Sequence, residues 1–354
     1  MDRRSFLKTT AAAAATATAA GGTAQASALP AAPALSSGVR ELRMTTDWPD
    51  GVAGLADQAH RLARRLETAT GGRLRIVLEP GHAADAAASH DLVVASGHRH
   101  LPAHPAFAYF AGLPIAGGIA PAALPAWLQA GGQELWDELA GSLGEKCLLV
   151  GHSGAGSRLW SRAPITSADD LAGQPIAAIG LGRDIVRGLA GIPVELPAGG
   201  LAAGLADGTV RAAEWCGTMN ACALGLASAA AFASPIGLNP NGEAVALSID
   251  RRVWDSMTPG DQTLIEAIAA AELQASLAEA ASVERHLADA LHARGELHLT
   301  ALDVELTRAI ATLAEAVVAD VAGHDALSAR IDASYMAFNP WPMASGSRGA
   351  WRLS

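Results

Sequence analysis

The chain has 354 residues, 50% of them hydrophobic and only 17% charged, enough apolar side chain to bury two domains' worth of core and too much for a disordered protein. A formal charge of −10 and an isoelectric point near 5.5 leave no basic face for a phosphate backbone, which argues against nucleic acid as a partner. A small neutral or anionic solute is compatible with both values.

The N-terminus, "MDRRSFLKTTAAAAATATAAGGTAQASA", sets Arg3 and Arg4 ahead of Phe6, Leu7 and Lys8, then a weakly apolar Ala/Thr run and small residues around Ala26 and Ala28. This pattern reads as a twin-arginine secretion signal over 1–28, followed by a Pro/Ala/Ser linker over 29–39, and it predicts export to the periplasm. No cysteine follows the run to accept a lipid, and no later stretch of about 18 uninterrupted apolar residues is long enough to span a bilayer. Cleavage would take a net +2 from −10, leaving −12 and three cysteines, Cys147, Cys216 and Cys222, so at least one thiol is unpaired within a monomer. Cys216 and Cys222 are six apart, a spacing of neither redox nor zinc motifs, and read as buried small residues.

From Glu41 the chain alternates strand-like and helix-like pieces. "ELRMTTDW" precedes a helix with Leu55, Ala59, Leu62 and Leu66 on one face, stopped at Gly71 and Gly72. "LRIVLE" and "DLVVAS" follow as strands, and "PAWLQAGGQELWDELAGSL" as a helix. The middle third repeats the alternation in shorter units: "CLLVG", a capped turn at Ser167 to Leu171, "QPIAAIG", a helix from Arg183 to Leu189, and "VEL". From Thr258, a candidate N-cap with Pro259 at the first helical position, helical periodicity runs to Arg294 with Gly295 as the stop. A helix of that length spans on the order of 50 Å and must bridge domains or reach a partner. A strand-like "ELHLTAL", a helix from Asp303 to Ala322 and an irregular tail close the chain. The fold class is α/β in two lobes, lobe 1 from 40–150 plus 244–300 and lobe 2 from 151–243, with a C-terminal helical region over 259–338.

Catalytic and cofactor motifs are incomplete. Gly180 and Gly182 sit between a strand and a helix, but Ile185 holds the third position of a dinucleotide G-x-G-x-x-G and no acidic residue follows at the required spacing, so the glycines read as a tight turn whose N–H groups face a cleft. Gly151-His152-Ser153-Gly154-Ala155 lacks the second glycine of a nucleophile elbow. His82, His90, His98, His100 and His104 fall in a polar, exposed-looking stretch and show no helical i, i+4 pair with a glutamate between. No enzyme and no organic cofactor is expected.

Segments spread over most of the mature chain, "GLADQAHRLARRLETATGGRLRIVLEPG", "HPAFAYFAGLPIAGG", "AWLQAGGQELWDELA", "SADDLAGQPIAAIGLGRDIVRGLAGIPVELPAGGLAAGLADGTVRAAEWCG" and "SYMAFNPW", resemble the TRAP transporter solute-binding proteins. "GGQELWDEL" and "EWCG" look most like the branch that binds 2-oxo acids and is associated with mannitol or chloroaromatic uptake. The resemblance implies a two-lobed periplasmic-binding-protein fold that closes on a small organic solute, an organic acid or a relative, and delivers it to TRAP membrane permease subunits. It also implies a homodimer through the long helix, with Leu264, Ile268 and Leu277 covered by a partner or by the second helix. Within that branch the Glu214-Trp215 pair lies in the cleft, and Glu214 with the Trp215 carbonyl helps hold a sodium or calcium ion that bridges to the solute.

This chain departs from that pattern in several places. Gly156 stands where the resemblance places an ion-ligating glutamine, Ala177 where it places the arginine that clamps a carboxylate, Leu238-Asn239-Pro240-Asn241 where it places W-H-E-P, and His98-Arg99-His100 where it places Y-Y-W; a helix-sized piece between Gly81 and His90 is absent. The ion's ligand set is therefore incomplete. Arg99, with Arg158 or Arg183 in reserve, is expected to supply the positive charge opposite Glu214, leaving Trp215 to stack on the solute, with His152, Ser153 and Asn220 as further contacts. The alternatives are a diverged sensor or scaffold that kept the fold, and a secreted cofactor-dependent enzyme.

Overall fold

The computed structural model describes residues 38–81, 90–154 and 156–339. The predicted signal peptide, most of the predicted linker, His82, the stretch before His90 and the tail after Asn339 lie outside the described residues. The described residues from Val39 onward form one compact unit built on two sheets.

The first sheet starts with β1 (Arg40–Thr46), α1 (Leu55–Ala69), β2 (Leu74–Pro80) and β3 (Leu92–Ser96). Strand β1 pairs in parallel with both β2 and β3, the helical crossover that parallel pairing requires being α1. Helix α1 buries the expected stripe of Leu55, Ala59, Leu62 and Leu66. A 3₁₀ turn over Gly97–His100 leads to α2 (Ala108–Ala111), α3 (Leu124–Trp127) and α4 (Gln133–Gly141). The single helix expected over 125–143 is broken because Gly131 takes φ +112°, a conformation closed to other residues, which turns the chain between α3 and α4.

β4 (Glu145–His152) completes that sheet beside a strand that returns much later in sequence, and β5 (Ser157–Ser161) opens the second. There follow β6 (Pro175–Ala177), α5 (Gly182–Gly188), β7 (Ile192–Val194), α6 (Leu201–Asp207), β8 (Ala212–Cys216), α7 (Thr218–Ala223), α8 (Leu226–Ala229) and β9 (Phe232–Ala233). β10 (Ala244–Asp250) is the returning strand, antiparallel between β3 and β4, so the first sheet is ordered β2-β1-β3-β10-β4. After α9 (Arg251–Asp255) come the long α10 (Pro259–Ala293), β11 (His298–Leu299), α11 (Val304–Ala322) and α12 (Ala326–Phe338). β11 falls within the residues that the sequence assigns to lobe 1, yet it pairs in parallel with β9, giving a second sheet ordered β11-β9-β5-β8-β6-β7.

Alternation along β4 and β10 sends Leu148, Val150 and Leu247 into a core shared with α1 and α10, and Cys147, Leu149 and Ala246 into one shared with Phe107, Trp136 and Tyr335. α10 starts as its caps require, the Thr258 hydroxyl accepting from Asp261 N at 3.1 Å. It packs on β4 and α1 and also on α7 beyond the second sheet, a strut across both. On it, fully buried Glu272 accepts from Arg61 Nε at 2.7 Å and lies 3.2 Å from Arg65 Nε. Leu264, Ile268 and Leu277, expected to be covered by a partner or by the second helix, pack into or against these cores within the chain.

Candidate functional site

The carboxyl ends of β1, β3, β6 and β8 meet the turns before β5 and β10, the place where open α/β sheets gather ligand-binding loops. Asp47 follows β1, and its carboxylate accepts from Ser96 N at 3.0 Å at the end of β3. Ser153 and Glu243 tie the turns together: Ser153 N donates to the Glu243 carbonyl at 2.8 Å, and Glu243 N to the Ser153 hydroxyl at 2.9 Å. Asn220 and Thr218 stand on α7 beside them, and Gly54, at the start of α1, comes so close that an added Cβ would lie 2.6 Å from Asn220 Oδ1.

Glu214 is at the centre and almost wholly inaccessible. The Ser157 hydroxyl donates to its Oε1 at 2.6 Å, and Ile179 N to its Oε2 at 3.2 Å; Ser157 in turn accepts from Asn239 N at 2.8 Å. Gly182 closes the other side, where a Cβ would stand 2.5 Å from Oε2. The paired glycines that mimic a dinucleotide motif thus let the chain turn against a buried carboxylate. Burial pushes Glu214 up to about 7, the hydroxyl and N–H donors only partly offsetting it. Glu243 is likewise pushed up to about 7, by burial and then by the charges of Asp47 and Glu214, against a hydrogen bond from Ser96. Asp47 is raised by its burial.

The arginine expected opposite Glu214 is replaced by these neutral donors. Arg99 is exposed, and its charge acts on Asp47 and Glu145. Arg183 pairs with Glu195 at 2.8 Å. Arg158 is the register partner of Trp215 across β5 and β8, so both project from the sheet face opposite Glu214. There Arg158 Nη1 donates to the carbonyls of Ser234 and Pro235 at 3.2 and 3.3 Å and lines a groove of about 660 Å³ with Leu277, Ala280 and Glu284. Adjacent in sequence, Glu214 and Trp215 are separated by the sheet itself.

His152 is buried, accepts from Gly154 N at 2.9 Å through Nδ1, and is pushed down to about 3 by its burial. The histidines expected on the surface are mostly inside: His98 and His100 are buried, and His90 is enclosed against Glu79. His98 lies against Gly180, whose φ of +52° and missing side chain admit the ring, and burial pushes it down to about 4. Five buried side chains around this junction keep a polar atom without a hydrogen-bond partner: Gln58 Oε1, both His98 ring nitrogens, Thr218 Oγ1, Asn220 Oδ1 and Asn239 Oδ1. Asp47, Ser157, Asn239 and Glu243 were not legible as site residues; the one available signal was their position just after or before strand-like runs.

An α/β protein whose two sheets meet at buried strand ends, with polar groups turned inward, has the build of a two-lobed binding protein. The chain belongs to the bacterial extracellular solute-binding protein family 7, DctP, whose family model matches residues 119–324. A monocarboxylate 2-oxoacid-binding periplasmic protein of Nostoc sp. is 29% identical over 226 residues, which is 61% of each chain, so the match spans about three fifths of that relative's length. A TRAP transporter solute-binding protein from Bordetella bronchiseptica, a dimer crystallised with calcium and picolinate, superposes with a TM-score of 0.79 at 21% identity, covering 84% of this chain and 91% of that one. A Pseudoalteromonas atlantica TRAP periplasmic solute-binding protein holding sodium and pyruvate superposes with a TM-score of 0.78 at 17% identity, covering 84% and 93%. These relatives are solute-binding proteins, and the shared fold is that of a two-lobed receptor.

The ions in those structures raise the question of whether Glu214 could hold one here. Each of its oxygens accepts a hydrogen bond, Oε1 from the Ser157 hydroxyl and Oε2 from Ile179 N–H, which occupies part of its lone-pair capacity. Gly156 offers no side chain, its Cα lying against the Pro240 carbonyl. Position 156 therefore adds no side-chain ligand beside Glu214.

Proposed function

We propose that this chain is a periplasmic receptor that captures a small organic solute, an organic acid or a close relative, where the two sheets meet, and delivers it to TRAP-type permease subunits. The observation that carries the reading is the set of buried, unpartnered polar atoms at that junction, contributed by both sheets' surroundings in a member of a solute-binding family. Each such atom costs about 1–3 kcal/mol when buried without a partner, so the set is best accounted for by a solute or water that satisfies it. Asn220 belongs to the proposed contacts from the second sheet's side, and His152 and Ser153 to those from the end of β4 in the first. Asn239 and His98 join them, with Glu214 acting from behind through Ser157.

Export by the twin-arginine route and assembly as a homodimer are part of the proposal. The arginine pair at the N-terminus supports the first, and the dimeric Bordetella relative supports the second. A second reading, a receptor that signals rather than feeds a permease, is favoured by Ala177 and Gly156, which contribute no polar side chain. Native mass spectrometry of the exported, unrefolded protein tests both. A co-purifying organic acid supports a transport receptor, whereas an empty site together with no thermal shift against a panel of short 2-oxo acids would overturn it.

A further inference from the structure

A second polar cluster lies away from the solute junction, on the other side of the first sheet. Glu145 and Cys147 are two apart on β4 and therefore share a face, and Ser248 on β10 is the register partner of Cys147, so its side chain stands on that face too. His100 reaches the same place from the end of the 3₁₀ turn after β3, its ring packed on Phe107 with centroids 4.8 Å apart. His100 Nε2 is 2.8 Å from Glu145 Oε2, and Cys147 Sγ is 3.9 Å from that oxygen and 3.4 Å from Ser248 Oγ. The imidazole nitrogen, carboxylate oxygen and thiol sulfur all lie within 4.8 Å of one another.

We propose that His100, Glu145 and Cys147 form a binding site for a zinc-type divalent cation, with Ser248 on the fourth side. A tetrahedral zinc ion with ligands at about 2.0–2.3 Å has donor atoms about 3.3–3.8 Å from each other, so the separations here need only small side-chain rotations to close on a metal. The donor set of one nitrogen, one oxygen and one sulfur is what zinc selects, and what calcium and sodium do not. Two features besides proximity point to a ligand. His100 is more than nine-tenths buried and holds its Nε2 2.8 Å from the Glu145 carboxylate, so the ring already turns that nitrogen toward the cluster. Cys147 is completely inaccessible, whereas the Glu145 side chain keeps 24% of its surface exposed and so gives the ion a way in. On binding, the thiol proton passes to solvent as the metal–sulfur bond forms, and thiolate plus carboxylate balance the 2+ charge. The Arg99 guanidinium acts on Glu145 as the opposing charge.

The metal would fasten the Gly97–His100 turn to the sheet, and that turn carries His98 against Gly180. Its role would be to hold one wall of the solute junction, independently of which solute binds there. The experiment is a cobalt titration of full-length, chelator-treated protein. One equivalent should give tetrahedral visible bands and a thiolate-to-cobalt charge-transfer band, and one equivalent of zinc should bleach both. Cys147→Ser should abolish the charge-transfer band, and His100→Gln should weaken cobalt binding at least tenfold while keeping it. Cys216→Ser and His104→Ala, the latter touching the separate group of His104, His324 and Asp325, should change neither. Circular dichroism establishes that each variant is folded; should Cys147→Ser not fold, the His100→Gln affinity decides. Absence of the charge-transfer band, its survival in folded Cys147→Ser, or unchanged affinity in His100→Gln would overturn the site.

Discussion

Of the buried glutamates, Glu272 and Glu214 differ most plainly in what surrounds the charge. Glu272 on the long helix meets the guanidinium groups of Arg61 and Arg65 on α1, whereas Glu214 at the end of β8 meets a hydroxyl and a backbone N–H. The first carboxylate has its countercharge built in and holds the strut to the first sheet. The second carries a burial cost that no described cation offsets, and it sits where loops from both sheets converge. A buried carboxylate with guanidinium groups beside it marks scaffold; one that burial pushes toward neutrality, with neutral donors offsetting only part of the cost, marks a place whose polarity can respond to a solute or to pH.

The largest expected effect falls on the scaffold side. Glu272→Ala removes the carboxylate that Arg61 and Arg65 share and should cost about 3 kcal/mol in urea unfolding, the low end for a broken buried pair because Arg61 is partly exposed and keeps Glu279 at 3.1 Å. A loss below about 1 kcal/mol would erase the contrast between the two glutamates.

A comparable effect should appear on the site side as pH dependence. Glu214 lies at about 7 in the folded chain against an ordinary 4.5, so the folded state holds the proton more tightly than the unfolded one. Its contribution is fully present below pH about 4.5 and is lost as pH rises through 7, by up to about 3 kcal/mol, with Glu243 acting in the same direction. Melting temperatures should fall from pH 5 to pH 8, and Glu214→Gln should flatten that fall; an unchanged slope in the variant would assign the dependence elsewhere.

Gly180→Ala sharpens the contrast from the backbone. Its φ of +52° and the His98 ring against its Cα leave no room for a methyl group, so a loss of about 1–2 kcal/mol and weaker solute binding are expected together. Stability loss with unaltered binding would remove His98 from the site. The smallest effect is expected where strut and site touch: Glu284 on α10 accepts from Thr218 N and Met219 N at the start of α7, and Glu284→Ala should cost about 1 kcal/mol as a lost cap.

The scaffold was the more legible half in sequence. Thr258, Pro259 and Gly295 mark the ends of the long helix, and Leu55, Ala59, Leu62 and Leu66 mark the buried face of α1, because caps and periodicity act through neighbours in the chain. The break at Gly131 was visible as Gly-Gly but not its consequence, since α-helical periodicity continues on either side. The site was harder to read. Glu214 stood out beside Trp215, but its partners Ser157, Ile179 and Asn239 are 57, 35 and 25 positions away and carry no pattern of their own. The histidine-rich run looked like surface because its residues are polar; His98 and His100 are buried because tertiary packing closes over the turn that bears them.

The receptor reading is tested most directly by calorimetric titration of the exported protein with pyruvate and related short 2-oxo acids at pH 6 and pH 8. Binding of one acid per chain is expected, tighter at pH 6, where Glu214 and Glu243 are mostly protonated and repel a carboxylate least, and at least tenfold weaker in Asn239→Leu. No binding of any member at either pH, or binding untouched by Asn239→Leu, would contradict a solute site at the junction of the two sheets.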